Sequence, residues 1–146
     1  MIYKLRKKFI KICILSFIAV FVVLFISIFL VITVQTNQSL DMLADVVSSN
    51  DGTFPKWSEF SNGPNPPPMP NGLNMESPFT TRFFTVRFDR NGNVLSADIQ
   101  SIASVSRDEA ISYAEKVLEN SKKRGWMGDF RYKRYDTASG KAVVFI

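Results

Sequence analysis

The dominant feature of the hydropathy pattern is an apolar run over residues 12–34, which predicts one transmembrane helix. The run contains no charged residue, and only Ser16, Ser27 and Thr33 interrupt its aliphatic and aromatic side chains. As an α-helix it would be about 34 Å long, enough to cross a hydrocarbon core of about 30 Å. A lone strand is excluded because backbone groups in lipid must be satisfied within the segment itself.

A second apolar periodicity predicts that the helix continues outside the membrane over residues 35–53. Its apolar face repeats at helical spacing, and Asn50-Asp51-Gly52 supplies the stop. Two interpretations are open, since a continuous rod could transmit a shift or rotation across the membrane, or the apolar face could simply pack on the following domain. The residues of this face are Leu40, Leu43, Val46 and Val47.

Residues 54–78 are predicted to form a long exposed loop. All seven prolines of the chain fall in this segment, and proline lacks the N–H group that helices and strands need. The run Pro66-Pro67-Pro68 favours a polyproline II conformation, so a proline-rich peptide ligand is the alternative interpretation.

From Phe79 to Phe88 the pattern changes to alternation, which predicts a strand. A turn centred on Asn91-Gly92 follows, and Asn-Gly is the strongest short hairpin signal, so residues 94–99 should return antiparallel. The turn also carries acids and amides, but its glycine falls at the wrong position for a calcium loop. One face of the first strand holds Phe84, Val86 and Phe88, and the other holds Phe83, Thr85 and Arg87.

A capping box at Ser106 and Glu109 predicts the start of an amphipathic helix. We expect this helix to reach Gly125, with Lys122, Lys123 and Arg124 in its last turn, where the helix dipole favours cations. Its apolar face consists of Ala110, Ile111, Ala114, Val117 and Leu118.

Two further strands are predicted over residues 129–135 and 141–146, joined by a turn at Asp136–Gly140. Residues 79–146 therefore predict an α+β fold, in which an antiparallel β-β-α-β-β sheet carries one packed helix. The chain stops within the last apolar strand, from which we expect the native protein to continue beyond Ile146.

The charges orient the transmembrane helix. Five of the 18 basic residues precede the apolar run and no acid accompanies them, so residues 1–11 are predicted to be a cytoplasmic tail and residues 35–146 to be extracytoplasmic. A cleaved signal peptide is the alternative, but its apolar region is usually about 7–15 residues long and ends in a small-residue cleavage site. The remaining 13 basic residues balance the 13 acidic ones, which argues against nucleic acid as a partner.

The composition also restricts the chemistry. The chain has no histidine, and its one cysteine, Cys13, lies inside the apolar run. These counts argue against zinc, copper and haem sites and against His-based catalytic triads. We expect no catalytic residues, no metal and no cofactor.

Several segments together resemble the N-terminal sensor region of bacterial two-component sensor histidine kinases. They are Glu76-Ser-Pro-Phe-Thr-Thr-Arg-Phe-Phe-Thr-Val86, Asp89-Arg-Asn-Gly-Asn93, the capped helix, Gly128-Asp-Phe-Arg-Tyr-Lys133 and Lys141-Ala-Val-Val-Phe-Ile146. The resemblance implies a PAS-like extracytoplasmic domain over residues 79–146, behind one membrane helix. It also implies a second membrane helix and a cytoplasmic kinase, both of which lie outside this sequence.

The resemblance implies further expectations about partners. The chain should sit in the lipid bilayer, form a homodimer through its membrane helix, respond to an extracellular stimulus and act on a response regulator through the kinase part. Basic and aromatic residues on the predicted strands are candidates for ligand sensing, although each could equally be an ordinary residue of the sheet surface. They are Arg82, Arg87, Arg131, Tyr132 and Tyr135.

Two other classes of protein remain open. The capped helix followed by two strands also fits a stand-alone, membrane-anchored interaction or inhibitory module of the PepSY type. A signal-anchored secreted enzyme fits less well, because the sequence has no Ser-x-x-Lys or Gly-x-Ser-x-Gly motif and its acids at 108 and 109 belong to the helix start.

Overall fold

The first helix, α1, extends over Ile2–Ser49 without a break. In the computed structural model, which describes residues 2–55, 73 and 76–146, the chain divides into two compact units, Met1–Gln38 and Ser39–Ile146. Most of the predicted proline-rich loop, residues 54–78, lies outside the described residues.

In the first unit, α1 carries apolar side chains on all sides, and they are exposed. Two of its hydroxyl groups bond within the helix: the Ser27 hydroxyl donates to the carbonyl of Val23 and the Thr33 hydroxyl to that of Phe29, each at 2.8 Å. Such bonds let hydroxyls exist in an apolar surrounding at little cost. By length and composition this helix can cross a membrane.

The last turns of α1 belong to the second unit and are amphipathic. Ala44, Val47 and Ser48 are buried there, whereas Leu40, Leu43 and Val46 of the predicted apolar face are only half-buried. The buried face is therefore rotated from the predicted one. The helix ends as predicted, because Gly52 adopts a φ of +79° and donates to the carbonyl of Val47 at 2.8 Å.

A short helix, α2, covers Ser77–Thr80, where the alternation had predicted a strand from Phe79. Pro78 stands in its first turn, a position that suits proline, and the strand begins only at Phe84.

The sheet has five antiparallel strands in the order β2-β1-β5-β4-β3. The α+β class is confirmed, but the predicted β-β-α-β-β order lacked one strand, β3. The strands are β1 (Phe84–Asp89), β2 (Val94–Asp98), β3 (Arg124–Met127), β4 (Phe130–Thr137) and β5 (Gly140–Phe145).

The third helix, α3, covers Arg107–Glu119 and is shorter than predicted. It begins at the predicted capping box, in which the Ser106 N–H donates to Glu109 Oε2 at 2.9 Å. It ends because Asn120 is extended, and the guanidinium of Arg134 on β4 donates to the carbonyls of Asn120 and Ser121.

The prediction that Lys122, Lys123 and Arg124 occupy the last turn of this helix is therefore wrong. Arg124 instead opens β3, and the distant Arg134 binds the two carbonyls that directly follow the helix.

The two faces of the sheet are covered by different helices. On one face Phe84, Val86 and Phe88 pack with α3, as the alternation predicted, and Phe84 stacks on Phe145 at 4.5 Å between ring centroids. The other face, which we call the α1 face, has a small apolar centre around Val144 that contacts the last turns of α1.

The β4–β5 hairpin brings Gly140 against the backbone of β1, and this contact tests the fold. A Cβ atom added at Gly140 would lie 2.2 Å from the carbonyl oxygen of Phe88. We expect Gly140→Ala to lower the free energy of unfolding by about 3 kcal/mol or more, since neither backbone can yield easily. Denaturant unfolding of the full chain in detergent micelles measures this.

The matched control is Gly92→Ala. Gly92 has a φ of +87° but no atom within 4 Å of an added Cβ, so only the left-handed backbone costs about 1–2 kcal/mol. Equal losses for the two variants would contradict the proposed close approach at Gly140.

Candidate functional site

The α1 face of the sheet carries four basic side chains around its apolar centre. In β4, alternate residues point to the same face, which places Arg131 and Lys133 together. Arg124 on β3 pairs with Lys133, and Arg87 on β1 pairs with Ala142 of the central strand. The register therefore gathers these cations from three strands onto one surface.

Three carboxylates from the end of α1 and its following turn meet these cations. Asp41 and Asp45 are four residues apart, so they lie on the same side of the helix. Asp41 accepts two bonds from the Arg131 guanidinium, at 2.8 and 2.9 Å. This is a fork-to-fork pair of the strong, charge-assisted kind.

Asp45 bridges two strands. It accepts from Arg124 Nη2 at 2.7 Å and from Lys133 Nζ at 2.7 Å, and Lys133 also donates to the Ser48 hydroxyl at 2.6 Å. Burial alone would raise the pKa of Asp45, but the hydrogen bonds from Lys133 and Arg124 outweigh it and hold that pKa below its usual value.

The third pair lies at the turn after α1. Arg87 donates to both the backbone carbonyl and the carboxylate of Asp51, and the Thr85 hydroxyl donates to the carbonyl of Gly52 at 3.1 Å. We call the three carboxylates with their four cations the ionic clamp. It joins α1 to the sheet through Asp41, Asp45, Asp51, Arg87, Arg124, Arg131 and Lys133.

Two polar atoms beside the clamp have no hydrogen-bond partner of regular geometry among the described residues. They are Nε of Arg87 and the hydroxyl of Tyr135, and both are buried. Burial raises the pKa of Tyr135, and the nearby Arg87 charge offsets part of that rise. A hydrogen bond from the Arg87 side chain also lowers this pKa, so the guanidinium and the phenol hydroxyl lie close to each other.

The five predicted ligand-sensing residues do not form one site. Arg87 and Arg131 belong to the ionic clamp, and Tyr135 lies beside it. Tyr132 points to the opposite face, where it is buried in the core with Phe145.

Arg82 stands apart from the other four. It is exposed and lines a shallow pocket with Phe79, Gln100 and Ser101.

Sequence reasoning missed the acidic half of the clamp and two of its cations. The i,i+4 spacing of Asp41 and Asp45 was a usable signal, but their partners are 79 to 90 residues away along the chain. The periodicity of a single helix or strand cannot predict an ion pair between residues so far apart in the sequence.

A second candidate is an open groove of about 410 Å³ at the opposite end of the sheet, where the β1–β2 and β4–β5 turns meet the end of α3. Its volume is within the range of small-molecule sites. Its lining includes the apolar Phe88 and Leu118 and the charged Asp136 and Lys141. Within the described ranges, no three His, Cys, Asp or Glu residues are grouped so that they could hold a metal ion.

Comparison with known proteins identifies no relative. No family model matches the chain, and neither a curated protein nor a solved structure does so significantly. The function must therefore be argued from the helix, the ionic clamp and the groove.

The Asp41–Arg131 pair gives a direct test of the clamp. The two side chains are only 28% and 16% exposed, so a double-mutant cycle with Asp41→Asn and Arg131→Gln should give a coupling of about 1–2 kcal/mol. Asp51 is 74% exposed, and the Asp51→Asn and Arg87→Gln cycle should give less than about 1 kcal/mol. The reverse order of the two couplings would contradict this ranking.

The lowered pKa of Asp45 predicts an acid-sensitive clamp. A carboxylate with a depressed pKa in the folded state adds stability above its unfolded value, about 3.9 for Asp, and this stability is lost as the pH falls. The free energy of unfolding should therefore drop on acidification below about pH 5, and less steeply in Asp45→Asn. Denaturant unfolding at several pH values measures both slopes.

Asp129→Asn is the control for this pH series, because Asp129 is exposed and makes no ion pair in the clamp. An Asp129→Asn slope as flat as that of Asp45→Asn would show that Asp45 is not the group responsible.

Proposed function

We propose that this chain is the membrane-anchoring and extracytoplasmic sensing part of a two-component sensor histidine kinase. Its N-terminus is cytoplasmic, residues 35–146 are outside, and the kinase it serves lies beyond this sequence. The resemblance of the sequence, the single apolar helix and the basic tail support this assignment.

The observation that carries the proposal is the ionic clamp at the end of α1. The helix that can span a membrane continues unbroken to Ser49, and its last turns are held on the sheet by ion pairs. A stimulus that alters the docking of these turns acts directly on the helix. Signalling needs such an element with two arrangements whose equilibrium the stimulus can shift.

The position of the last strand supports a second connection to the membrane. Ile146 exchanges two backbone hydrogen bonds with Arg131, at 2.9 and 3.1 Å, and Arg131 is the partner of Asp41. We call this part of the second unit the Ile146 end. A chain continuing beyond β5 would leave the unit at the end where α1 reaches it, as a sensor with two membrane helices requires.

The stimulus and the oligomer fit the same proposal. The groove at the end opposite Ile146 is available to a small ligand. In the membrane, small residues at Ser16 and Ala19 border a shallow recess on α1, which supports close helix approach in a homodimer. The response regulator is reached only through the kinase.

The second candidate function is a stand-alone anchored module of the PepSY type, whose partner would bind the same sheet. The capped helix and the strands that follow it favour this second function. The reading frame after codon 146 distinguishes the anchored module from the sensor. A second apolar segment followed by a histidine-bearing kinase supports the sensor. A stop codon at position 147 overturns it and leaves the anchored module.

In the full-length kinase, the clamp variants should change signalling. We expect Asp41→Asn and Arg131→Gln each to shift autophosphorylation in reconstituted membranes in the same direction, because both release the same contact. The charge reversal Asp41→Arg with Arg131→Asp should restore part of the original level.

Asp129→Asn is the control and should leave autophosphorylation unchanged. If the clamp variants behave as this control does, while retaining the fold, the clamp does not transmit the signal.

A further inference from the structure

The folded unit exposes few large apolar side chains, and two of them lie towards one end. Over the described part of residues 39–146, the exposed ones are Phe79, Leu95 and Trp126, which are 89%, 52% and 48% exposed. Single exposed apolar residues are ordinary on protein surfaces. Phe79 and Trp126 are of interest because both lie towards the same end of the folded unit.

Trp126 lies at the Ile146 end. In the β3–β4 register it pairs with Arg131, whose guanidinium is 5.7 Å from the centre of the indole ring. The same guanidinium holds Asp41. Arg131 therefore lies between the indole of Trp126 and Asp41, the first acidic residue after the apolar run.

Phe79 lies towards the same end but at the opposite edge of the sheet. The short helix α2 precedes the start of β1, and Phe79 shares a shallow pocket with Gln100 and Ser101, which follow the end of β2. Strands β2 and β3 are the two edges of the sheet. With strands about 4.8 Å apart, the edges are separated by about 19 Å.

The length of chain between the apolar run and this end is short. Six residues separate Val34 from Asp41, so even a fully extended chain would place these two residues at most about 25 Å apart. The headgroup region adds about 5–8 Å to each side of the hydrocarbon core. If residues 12–34 span the membrane, this short tether, which enters the folded unit beside Arg131, keeps the Ile146 end close to the lipid headgroups.

We propose that Trp126 and Phe79 contact the headgroup region of the bilayer and seat the folded unit on the membrane surface. This rests on the membrane anchoring in the proposed function. Tryptophan is enriched at this depth because its ring is apolar and its N–H is polar.

The charges near this end indicate which lipid property matters. Arg82 is exposed beside Phe79, whereas Arg131 is already paired with Asp41, and Asp129 in the β3–β4 turn is exposed. The exposed charges named here include both signs, so we expect the contact not to require anionic lipid. Because the anchor keeps the unit at the surface, even a weak contact is populated.

Depth-dependent quenching of tryptophan fluorescence tests the proposal. The full chain with Trp57→Phe retains Trp126 alone and is reconstituted in phosphatidylcholine vesicles carrying a quencher on either the headgroup or the middle of the acyl chain. We expect Trp126 to be quenched by the headgroup label more than by the acyl-chain label, in low and high salt. Phe79→Trp, with Trp57 and Trp126 both changed to Phe, should behave in the same way.

Two matched controls use that same double-Phe background. Leu95→Trp has nearly the same exposure as Trp126 but lies in the irregular part of β2 opposite Arg87 and Phe88, away from the Ile146 end, and should be quenched by neither label. Phe21→Trp, in the middle of the apolar run, should be quenched by the acyl-chain label.

Each other outcome overturns the proposal in a recognisable way. Absence of quenching at Trp126, with Phe21→Trp quenched as expected, removes the surface contact and leaves the anchor. A blue shift at Trp126 that grows with the protein-to-lipid ratio assigns the indole to a second copy of the chain. Absence of acyl-chain quenching at Phe21→Trp refutes the anchor itself, and with it the proposed function.

Discussion

The arrangement of the folded unit depends on the ionic clamp between α1 and the sheet. One face of the sheet is closed by α3 through ordinary apolar packing, but the other carries four cations around a small apolar centre. A purely apolar helix could not cover that face, because partly buried charges without partners are costly. Asp41 and Asp45 of α1 satisfy this requirement for Arg124, Arg131 and Lys133.

The central strand shows why both coverings are needed. Strand β5 lies between β1 and β4, and its residues 142–145 are fully buried on both faces. A strand that is covered on both faces usually has a continuous apolar sequence, and residues 142–145, Ala-Val-Val-Phe, fit this rule. If the last turns of α1 were removed, Val144 and its neighbours would face water.

Much of this fold could be predicted from the sequence because the signals for its helices, strands and turns come from residues that are close along the chain. The capping box at Ser106, the Asn-Gly turn and the alternation of Phe84, Val86 and Phe88 each involve neighbours along the chain, and each is present in the structure. Strand β3 gave no such signal, because it is four residues long and contains glycine. Its pairing with β4 also depends on the hairpin at Gly128.

The ionic clamp was much harder to predict from the sequence than the fold, and the reason is physical. The buried face of α1 was inferred from apolar residues alone, whereas its actual buried face includes Ser48 and borders Asp41 and Asp45. Whether an aspartate faces solvent or a sheet depends on where cations from remote strands are placed. Arg131 and Arg87 were predicted as candidates for ligand sensing, but their acidic partners could not be identified without the register.

The character of the clamp bears on how the helix could respond to a stimulus. The ion pairs of the clamp are expected to contribute between less than about 1 kcal/mol at the exposed Asp51 and about 1–2 kcal/mol at Asp41, and the apolar part of the contact rests on the small residue Ala44 together with Val47. Coupling between a ligand and a distant site is typically about 1–3 kcal/mol. In the proposed sensor, a stimulus of that size would match the contribution of one or two of these ion pairs. The same reasoning explains why the core around α3, with its stacked Phe84 and Phe145, is the part expected to stay unchanged.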